Sequence, residues 1–264
     1  VQFLRHQIDS YFLLTQNGTD ITTEVRAGLT TFLTTSYIIF VQPAVLSETG
    51  MNSGAVMTAT CLAAAFGCLI MGLWANYPIA LAPGMGINFY FTYTVVIGQG
   101  ISWEQALGAV FCSGVVLIVL TFLRVREIIL NQIPDSLKNG IVAGIGLFIA
   151  FIGFVQGGLV LENPGTLVKL GNMRSLPVLF TLSGLVLIAV LLHKKIKGAI
   201  LIGMLVLTLL GLPSGLVTYQ GLVSLPPAIG PTLMKMDVSG ALNLGLVTVI
   251  FVFVFVDLFD TAGT

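Results

Sequence analysis

Charged side chains are scarce in this sequence, and neither sign is in excess. Only 8% of the 264 residues are Asp, Glu, Lys or Arg, and 11 basic residues balance 11 acidic ones. A chain without a basic field has nothing to attract nucleic acid, and one without an acidic tail has nothing to attract a cationic protein. The charge balance therefore predicts no nucleic-acid partner.

Cysteine and histidine are rare as well. The three cysteines, Cys61, Cys68 and Cys112, lie inside apolar runs without a CxxC pair, and the chain has only two histidines. This pattern predicts neither a metal site nor a disulfide framework. No cofactor is predicted either, and no cleavable signal peptide is visible.

Apolar residues are correspondingly abundant. They make up 56% of the chain, and the mean hydropathy of +1.02 lies far above that of a soluble domain. Because about 20 apolar residues cross a bilayer core of about 30 Å, the sequence predicts an all-α membrane protein. Eight transmembrane spans are predicted, at about 25–47, 54–75, 79–98, 104–123, 136–155, 176–193, 198–212 and 240–264.

The segments outside the spans suggest an orientation. Residues 1–24 place apolar side chains at helical spacing between Arg5, Gln7 and Asp9, which favours an interfacial helix. Residues 213–239 contain four prolines, so they are predicted to form an extramembrane loop. With a cytoplasmic N-terminus, eight of the eleven Lys and Arg residues lie inside, so this orientation is predicted for a multi-pass cell-membrane protein.

Two carboxylates are embedded in the apolar run at 244–264, which reads LGLVTVIFVFVFVDLFDTAGT. Burying an ionised carboxylate at membrane depth costs about 2.5 kcal/mol or more, and the i, i+3 spacing places Asp257 and Asp260 on one helix face. Burial and mutual repulsion favour the protonated form of at least one of them. We interpret the pair as a proton carrier; the structural alternative is that they cap a broken helix or bond a neighbouring span.

A second irregular segment, YPIALAPGMGINFYF at 77–91, has prolines and glycines inside an apolar run. A regular helix is not expected throughout, and non-helical backbone at membrane depth is tolerated where protein covers it or where it lines a cavity. Discontinuous segments of this kind frame binding sites in transporters. Asn88 follows at once and offers two donors and an acceptor that suit the edge of a heterocycle. The alternative is a re-entrant kink with a purely structural role.

These motifs resemble a known family. The segments APGMGINFYF at 82–91 and DLFDTAGT at 257–264 are similar to signatures of the adenine, guanine and hypoxanthine permeases, the AzgA-like nucleobase:cation symporters. Further similarity lies in TTEVRAGLTTFLTTSYIIFVQP at 22–43 and NGIVAGIGLFIAFIG at 139–153. The resemblance covers nearly the whole chain.

The resemblance implies a fold of fourteen spans in two inverted repeats of seven, with a discontinuous third span and a core domain that moves against a gate domain. On that pattern, residues 25–123 hold core-domain spans one to four and residues 124–212 hold gate-domain spans five to seven. Span eight, at 240–264, then opens the second repeat. Since the chain starts at Val1 and stops at Thr264 inside an apolar run, we expect it to be a fragment.

The resemblance also implies a binding site. Matched motif by motif, it assigns the side chains of Asn88, Asp257 and Asp260 to the substrate, with Asp257 and Asp260 also coupling protons. Backbone groups of Gly84, Gly86 and Ile87 are expected to contact the base. An acidic residue expected in the tenth span lies beyond Thr264.

The sequence departs from the family near the first span. The family usually carries Asn where Gln42 stands and Ala or Val where Ser36 stands. We interpret these differences as capable of tuning specificity within the same class of protein.

The function predicted is import of a purine nucleobase by cation symport, with H⁺ expected and Na⁺ as the alternative. A carrier of another base or anion, a channel-forming or structural membrane protein, and an intramembrane aspartyl protease are the competing hypotheses. The protease is disfavoured because its two aspartates would be expected on facing helices. The sequence leaves open which purine is preferred and whether two copies form a homodimer.

Overall fold

The computed structural model describes the backbone of residues 2–217, 221, 225–242 and 244–263; it describes no side chains at 2–6, 130, 135, 244–245 or 260–263. The described chain is mainly helical, and its long apolar helices support a multi-pass membrane protein. The α-helices are α1 (Gln2–Phe12), α2 (Ile21–Thr35), α3 (Ile38–Ser47), α4 (Ser53–Leu73), α5 (Met85–Phe89), α6 (Trp103–Phe122), α7 (Val125–Gln132), α8 (Asp135–Gln156), α9 (Leu176–His193), α10 (Ala199–Gly211), α11 (Val238–Ala241) and α12 (Leu244–Gly263). A π-helix, Tyr90–Gly98, continues α5.

One β-hairpin departs from the all-α expectation. Strands β1 (Val160–Asn163) and β2 (Leu167–Leu170) pair antiparallel between α8 and α9. The turn contains Asn-Pro-Gly, and Asn163 Oδ1 accepts a hydrogen bond from the Gly165 N–H at 2.9 Å. Asn, Pro and Gly favour such turns for separate conformational reasons. The hairpin occupies the connection between the predicted fifth and sixth spans.

Five helical stretches among the described residues are long and apolar enough to cross a membrane: Ile21–Ser47, Ser53–Leu73, Trp103–Phe122, Ser136–Gln156 and Leu176–His193. They coincide with the predicted first, second, fourth, fifth and sixth spans. Apolar helices at the seventh and eighth positions, Ala199–Gly211 and Leu246–Phe259, are shorter. The count of eight therefore stays a prediction.

The predicted third span is interrupted. Residues 76–84 have no regular secondary structure, and helix begins only at Met85. Pro78 and Pro83 lie in this stretch, and proline lacks the backbone N–H that a helix interior needs. The irregular segment predicted from the sequence is confirmed.

A side-chain cap starts α2 earlier than the predicted position 25. Asp20 is extended, and its carboxylate accepts a hydrogen bond from the Thr23 N–H at 3.2 Å. The Thr23 hydroxyl also donates to Asp20, and this bond is the main reason that the pKa of the Asp20 carboxyl is lowered. The cap satisfies an N–H group that has no partner within the helix, so the helix begins at Ile21.

The predicted eighth span begins with a short separate helix. The Asp237 carboxylate accepts hydrogen bonds from the Gly240 N–H and the Ser239 hydroxyl, both at 2.8 Å. The bond from Gly240 is the main cause of a lowered pKa of the Asp237 carboxyl. This cap starts α11 inside the predicted loop 213–239, and the long helix begins at Leu244 rather than at 240.

The chain divides into two compact units that alternate along the sequence. The first comprises Val1–Phe40, Thr60–Ala82 and Leu179–Ser224, and the second comprises Val41–Ala59, Pro83–Val178 and Leu225–Thr264. In the first unit, a Cβ at Gly184 of α9 would lie 2.4 Å from Leu207 Cδ1 of α10. Absence of a side chain at Gly184 therefore lets these helices pack closely.

The core of the second unit joins the π-helix to α6 and α12. Its buried residues are Leu46, Met51, Val56, Phe91, Val95, Ala106, Ala109, Ala241, Leu246, Val249 and Phe253. We call this set the core cluster. Because these side chains exclude lipid and water together, the π-helix has a fixed position against α12.

Gly108 allows α6 to lie directly against the segment that precedes α11. A Cβ at this position would lie 2.2 Å from the Asp237 carbonyl oxygen and 3.0 Å from Ala241 Cβ. The Asp237 N–H also donates to the Glu104 carbonyl at 2.9 Å, which holds the two backbones together. A side chain at Gly108 would have to displace backbone.

Gly108→Ala is therefore expected to lower the free energy of unfolding by about 1–3 kcal/mol through overpacking. The matched control is Gly114→Ala on the same helix, where a Cβ would meet nothing within 4 Å. Alanine favours a helix over glycine by roughly 1 kcal/mol, so the control should be neutral or slightly stabilising. Thermal unfolding of the purified full-length protein measures both; equal melting temperatures would contradict the close approach.

Candidate binding site

The start of α5 leaves backbone donors without a capping side chain. Gly84 is extended, with φ −70° and ψ 121°, and no side chain at this cap position bonds the first turn. Its carbonyl accepts a hydrogen bond from the Asn88 N–H at 3.4 Å. The first N–H groups of a helix have no partner within it, so those of this turn can serve a ligand.

Two neighbouring residues hold α5 inside the second unit. Gly86 is buried, and a Cβ there would lie 3.1 Å from Ile145 Cγ2 of α8. Ile87 is half-buried and packs against the core cluster. Phe89, two residues after Ile87, contacts Phe148 of α8 edge to face, with ring centroids 6.5 Å apart. Close packing on α8 and on the core cluster thus fixes the position of α5.

Asn88 is part of a side-chain pair that connects α5 to α3. Its Nδ2 donates a hydrogen bond to Gln42 Oε1 at 3.1 Å and approaches Met85 Sδ at 3.8 Å. Asn88 is half-buried, whereas Gln42 is only 8% exposed. The sequence marked Gln42 as a departure from the family pattern, but it gave no sign that this residue bonds Asn88. The contact depends on how α3 and α5 pack.

The predicted acidic pair lies on α12. Asp257 is half-buried, and its neighbours Val254 and Leu258 are 7% and 3% exposed. Asp260 follows on the same helix, but its side chain lies outside the described part of the structure. The described carboxylate is therefore partly withdrawn from the surface, next to buried apolar residues of the same helix.

The two predicted motifs lie on contacting helices. Helix α5 contacts α12, and the Tyr90 ring meets the Phe253 ring edge to face, with centroids 5.3 Å apart. Phe253 precedes Asp257 by four residues, so both lie on one face of α12. Gly84, Gly86, Ile87, Asn88 and Asp257 all belong to the second unit.

Thr92 is a polar residue that the sequence did not single out. It lies in the π-helix with 0% exposure, and its hydroxyl has no hydrogen-bond partner among the described residues. It follows Asn88 by four residues. Buried hydroxyls without a partner are rare in proteins and each one calls for an explanation.

The π-helix supplies that explanation. Thr30, Thr31, Thr121 and Thr208 lie in α-helices, and each donates its hydroxyl to the carbonyl four residues earlier at 2.8–3.0 Å. A π-helix pairs residues five apart, so the carbonyl four residues earlier is displaced. A threonine hydroxyl that bonds its own helix in an α-helix therefore has no partner among the described residues at Thr92.

A second group of polar side chains connects α3, α8 and the π-helix. Gln156 Nε2 at the end of α8 donates to Glu48 Oε1 at 2.6 Å and to the Tyr93 hydroxyl oxygen. Glu48 follows α3, and Tyr93 lies in the π-helix. The sequence gave no sign of this group, because its members lie far apart along the chain. These hydrogen bonds hold the three elements in place against one another.

Within the described residues, His, Cys, Asp and Glu side chains form no group of three or more that could hold a metal ion. The described polar side chains on and next to α5 include the amides of Asn88 and Gln42 and the hydroxyl of Thr92. Such groups suit hydrogen bonding to a neutral polar ligand.

Comparison with known proteins gives a consistent result. A model of the Permease family matches residues 22–264. A protein of Methanocaldococcus jannaschii, named only as a permease, is 50% identical over 97% of this chain and 59% of its own length. The adenine permease AdeP of Escherichia coli is 46% identical over 97% of this chain and 58% of its own length.

A relative named for a different substrate is almost as similar. The guanine/hypoxanthine permease PbuG of Bacillus subtilis is 41% identical over 97% of this chain and 61% of its own length. The chain thus spans about three-fifths of the length of the curated relatives it matches. The relatives are thus named for adenine in one case and for guanine and hypoxanthine in the other.

Replacing Thr92 by valine should raise the free energy of unfolding by about 1 kcal/mol, because it removes a buried hydroxyl to which no described residue offers a hydrogen bond. Thermal unfolding of the purified full-length protein measures the change. Thr121→Val is the matched control, since the Thr121 hydroxyl bonds the Leu117 carbonyl and its loss should not stabilise. A Thr92→Val protein that melts below the parent would show that the hydroxyl has a partner.

Proposed function

Because this chain belongs to the Permease family, a family of transporters and not of enzymes, we propose that it forms part of a secondary active transporter that imports purine nucleobases. The proposed substrates are adenine, guanine or hypoxanthine. Two relatives support this class of substrate by name, one as an adenine permease and one as a guanine/hypoxanthine permease.

One structural observation carries the proposal. The interrupted third segment places Asn88 on α5, and α5 contacts α12, which carries Asp257. Both side chains are half-buried in a unit whose core is apolar. Small-molecule sites typically combine apolar walls with a few convergent polar groups.

Recognition of the base would use side-chain and backbone groups together. The Asn88 amide can hydrogen-bond the edge of a purine ring. Gly84, Gly86 and Ile87 would offer backbone groups at the uncapped start of α5. A flat heterocycle with alternating donors and acceptors matches such an arrangement better than a simple anion does.

The aspartates would couple transport to a cation. In the proposed cycle, an outward-facing state binds base and proton together, changes conformation and releases both inside. If Asp257 or Asp260 must be neutral before the base binds well, proton affinity and base affinity are reciprocally linked. Na⁺ is the alternative cation, since a carboxylate can also neutralise its charge.

The proposal includes the topology expected from the family resemblance. It comprises fourteen spans in two inverted repeats, core-domain spans at 25–123 and gate-domain spans at 124–212. The N-terminus would be cytoplasmic in a cell membrane, since eight of eleven basic residues then lie inside. Transporters of this type bind substrate where broken helices of two repeats meet.

Uptake of radiolabelled adenine and hypoxanthine by the full-length protein tests the site. In cells that lack purine permeases, Asn88→Ala and Asp257→Asn are each expected to lower saturable uptake by at least about tenfold, because the first removes a hydrogen bond to the base and the second removes a carboxylate that can take up a proton. Asp260→Asn is expected to behave like Asp257→Asn.

The controls are an exposed amide on α7, Asn131→Ala, and an exposed carboxylate in the hairpin, Glu162→Gln. Both should transport like the parent at matched surface expression. Unchanged uptake in all three site variants would place the site elsewhere. Inhibition of uptake by sulfate and by no purine would contradict the purine assignment.

A pH gradient tests the coupling. With one proton carried per base, an external pH one unit lower than the internal pH should support up to about tenfold accumulation of adenine in proteoliposomes. Asp257→Asn should abolish this dependence, and Glu162→Gln should keep it. Accumulation that ignores the pH gradient but follows a sodium gradient would assign Na⁺ as the coupling ion.

A further inference from the structure

We propose that Gln42 determines which purines are preferred, by fixing the orientation of the Asn88 amide so that its oxygen is left to accept a hydrogen bond from the substrate. The preferred substrates would be purines with an exocyclic 6-amino group, such as adenine, over 6-oxopurines such as hypoxanthine. This inference rests on the proposed function and names the substrate preference of the same site.

Both neighbours of the Asn88 amide are hydrogen-bond acceptors for its nitrogen. Nδ2 donates to Gln42 Oε1 at 3.1 Å and lies 3.8 Å from Met85 Sδ. Gln42 is 8% exposed, so water has little access to compete for its amide. A buried hydrogen bond of this kind is stronger and more directional than one at a surface.

Met85 removes the ambiguity that a pair of amides would have alone. If the amides of Gln42 and Asn88 both turned over, they would still form one hydrogen bond, now in the opposite direction. A thioether sulfur, however, accepts weakly and has no proton to donate. The turned-over Asn88 would set its oxygen against the sulfur lone pairs and lose that contact, so Nδ2 stays on the Met85 side.

The consequence for a ligand follows from hydrogen-bond counting. An amide has two N–H donors and one oxygen acceptor. In Asn88, Nδ2 serves Gln42 and Met85, so Oδ1 is the atom left to a ligand. The 6-amino group of adenine can donate to that oxygen, whereas the 6-oxo group of hypoxanthine presents a second acceptor and repels it. Purine discrimination of about tenfold or more is expected from one such bond.

The experiment that tests this inference compares adenine with hypoxanthine in each variant, and not only the rate of uptake of one base. Gln42→Leu keeps the approximate volume of the side chain but removes the acceptor that orients Asn88. Met85→Leu removes the weaker acceptor and is a milder change, which keeps the test decisive if Gln42→Leu fails to reach the membrane. Gln132→Leu, at an exposed position on α7, is the matched control.

Uptake of labelled adenine by the full-length protein, with competition by hypoxanthine, gives the ratio of the two apparent affinities. The parent should prefer adenine by about tenfold or more, and Gln42→Leu should bring the ratio close to one, mainly through KM. Met85→Leu should lower the ratio partially, and Gln132→Leu should leave it unchanged. A purely structural defect would instead lower uptake of both bases equally.

Two results would overturn the inference while the proposed function stands. One is a parent that transports both purines but prefers hypoxanthine. The other is a Gln42→Leu protein whose ratio of adenine to hypoxanthine affinity equals that of the parent. If Gln42→Leu does not reach the membrane, an unchanged ratio in Met85→Leu has the same meaning. A parent that takes up neither purine would instead refute the proposed function.

Discussion

The constraint on which this structure depends is that a polar group in an apolar surrounding has no water to bond. Long apolar helices meet this constraint for the backbone, since the N–H and carbonyl groups of each helix hydrogen-bond one another. Threonines in helices meet it for their side chains, because hydroxyls such as those of Thr30 and Thr121 donate hydrogen bonds to carbonyls of their own helix. Where the chain is not α-helical, at 76–84 and in the π-helix, polar groups become available for other hydrogen-bond partners.

Packing then determines where those groups are held. Because Gly86 has no side chain, α5 can pack closely on Ile145 of α8. The residues of the core cluster pack the π-helix against α12. Polar pairs between elements, Gln42 with Asn88 and Glu48 with Gln156, fix α3 relative to the same unit. Since hydrogen bonds in a low-dielectric interior are strong and costly to leave unmade, these few contacts set the orientation of side chains in the proposed site.

The proposed function places binding and coupling on helices that already contact each other. Helix α12 carries core residues such as Phe253 and the half-buried Asp257 on one face. A proton on that helix and a base at α5 would therefore lie on contacting helices, where protonation can alter base affinity directly; by linkage the base then alters proton affinity by the same factor. A single amide pair between α3 and α5 would then be sufficient to alter substrate preference without a change in coupling.

The sequence by itself determined the class of protein, the positions of the long apolar helices, the interruption at Pro78 and Pro83, and the two motifs, because hydropathy, proline and motif spacing are properties of neighbouring residues. It did not determine the cap at Asp237 that starts α11, the hairpin at 160–170, the π-helix in which the Thr92 hydroxyl has no partner among the described residues, or the bond between Gln42 and Asn88. The bond between Gln42 and Asn88, and the approach of Asp237 to the Glu104 carbonyl, depend on contacts between residues distant in the chain. Only the tertiary structure decides them, because a hydrogen bond or a close packing contact exists only once both partners have been brought together.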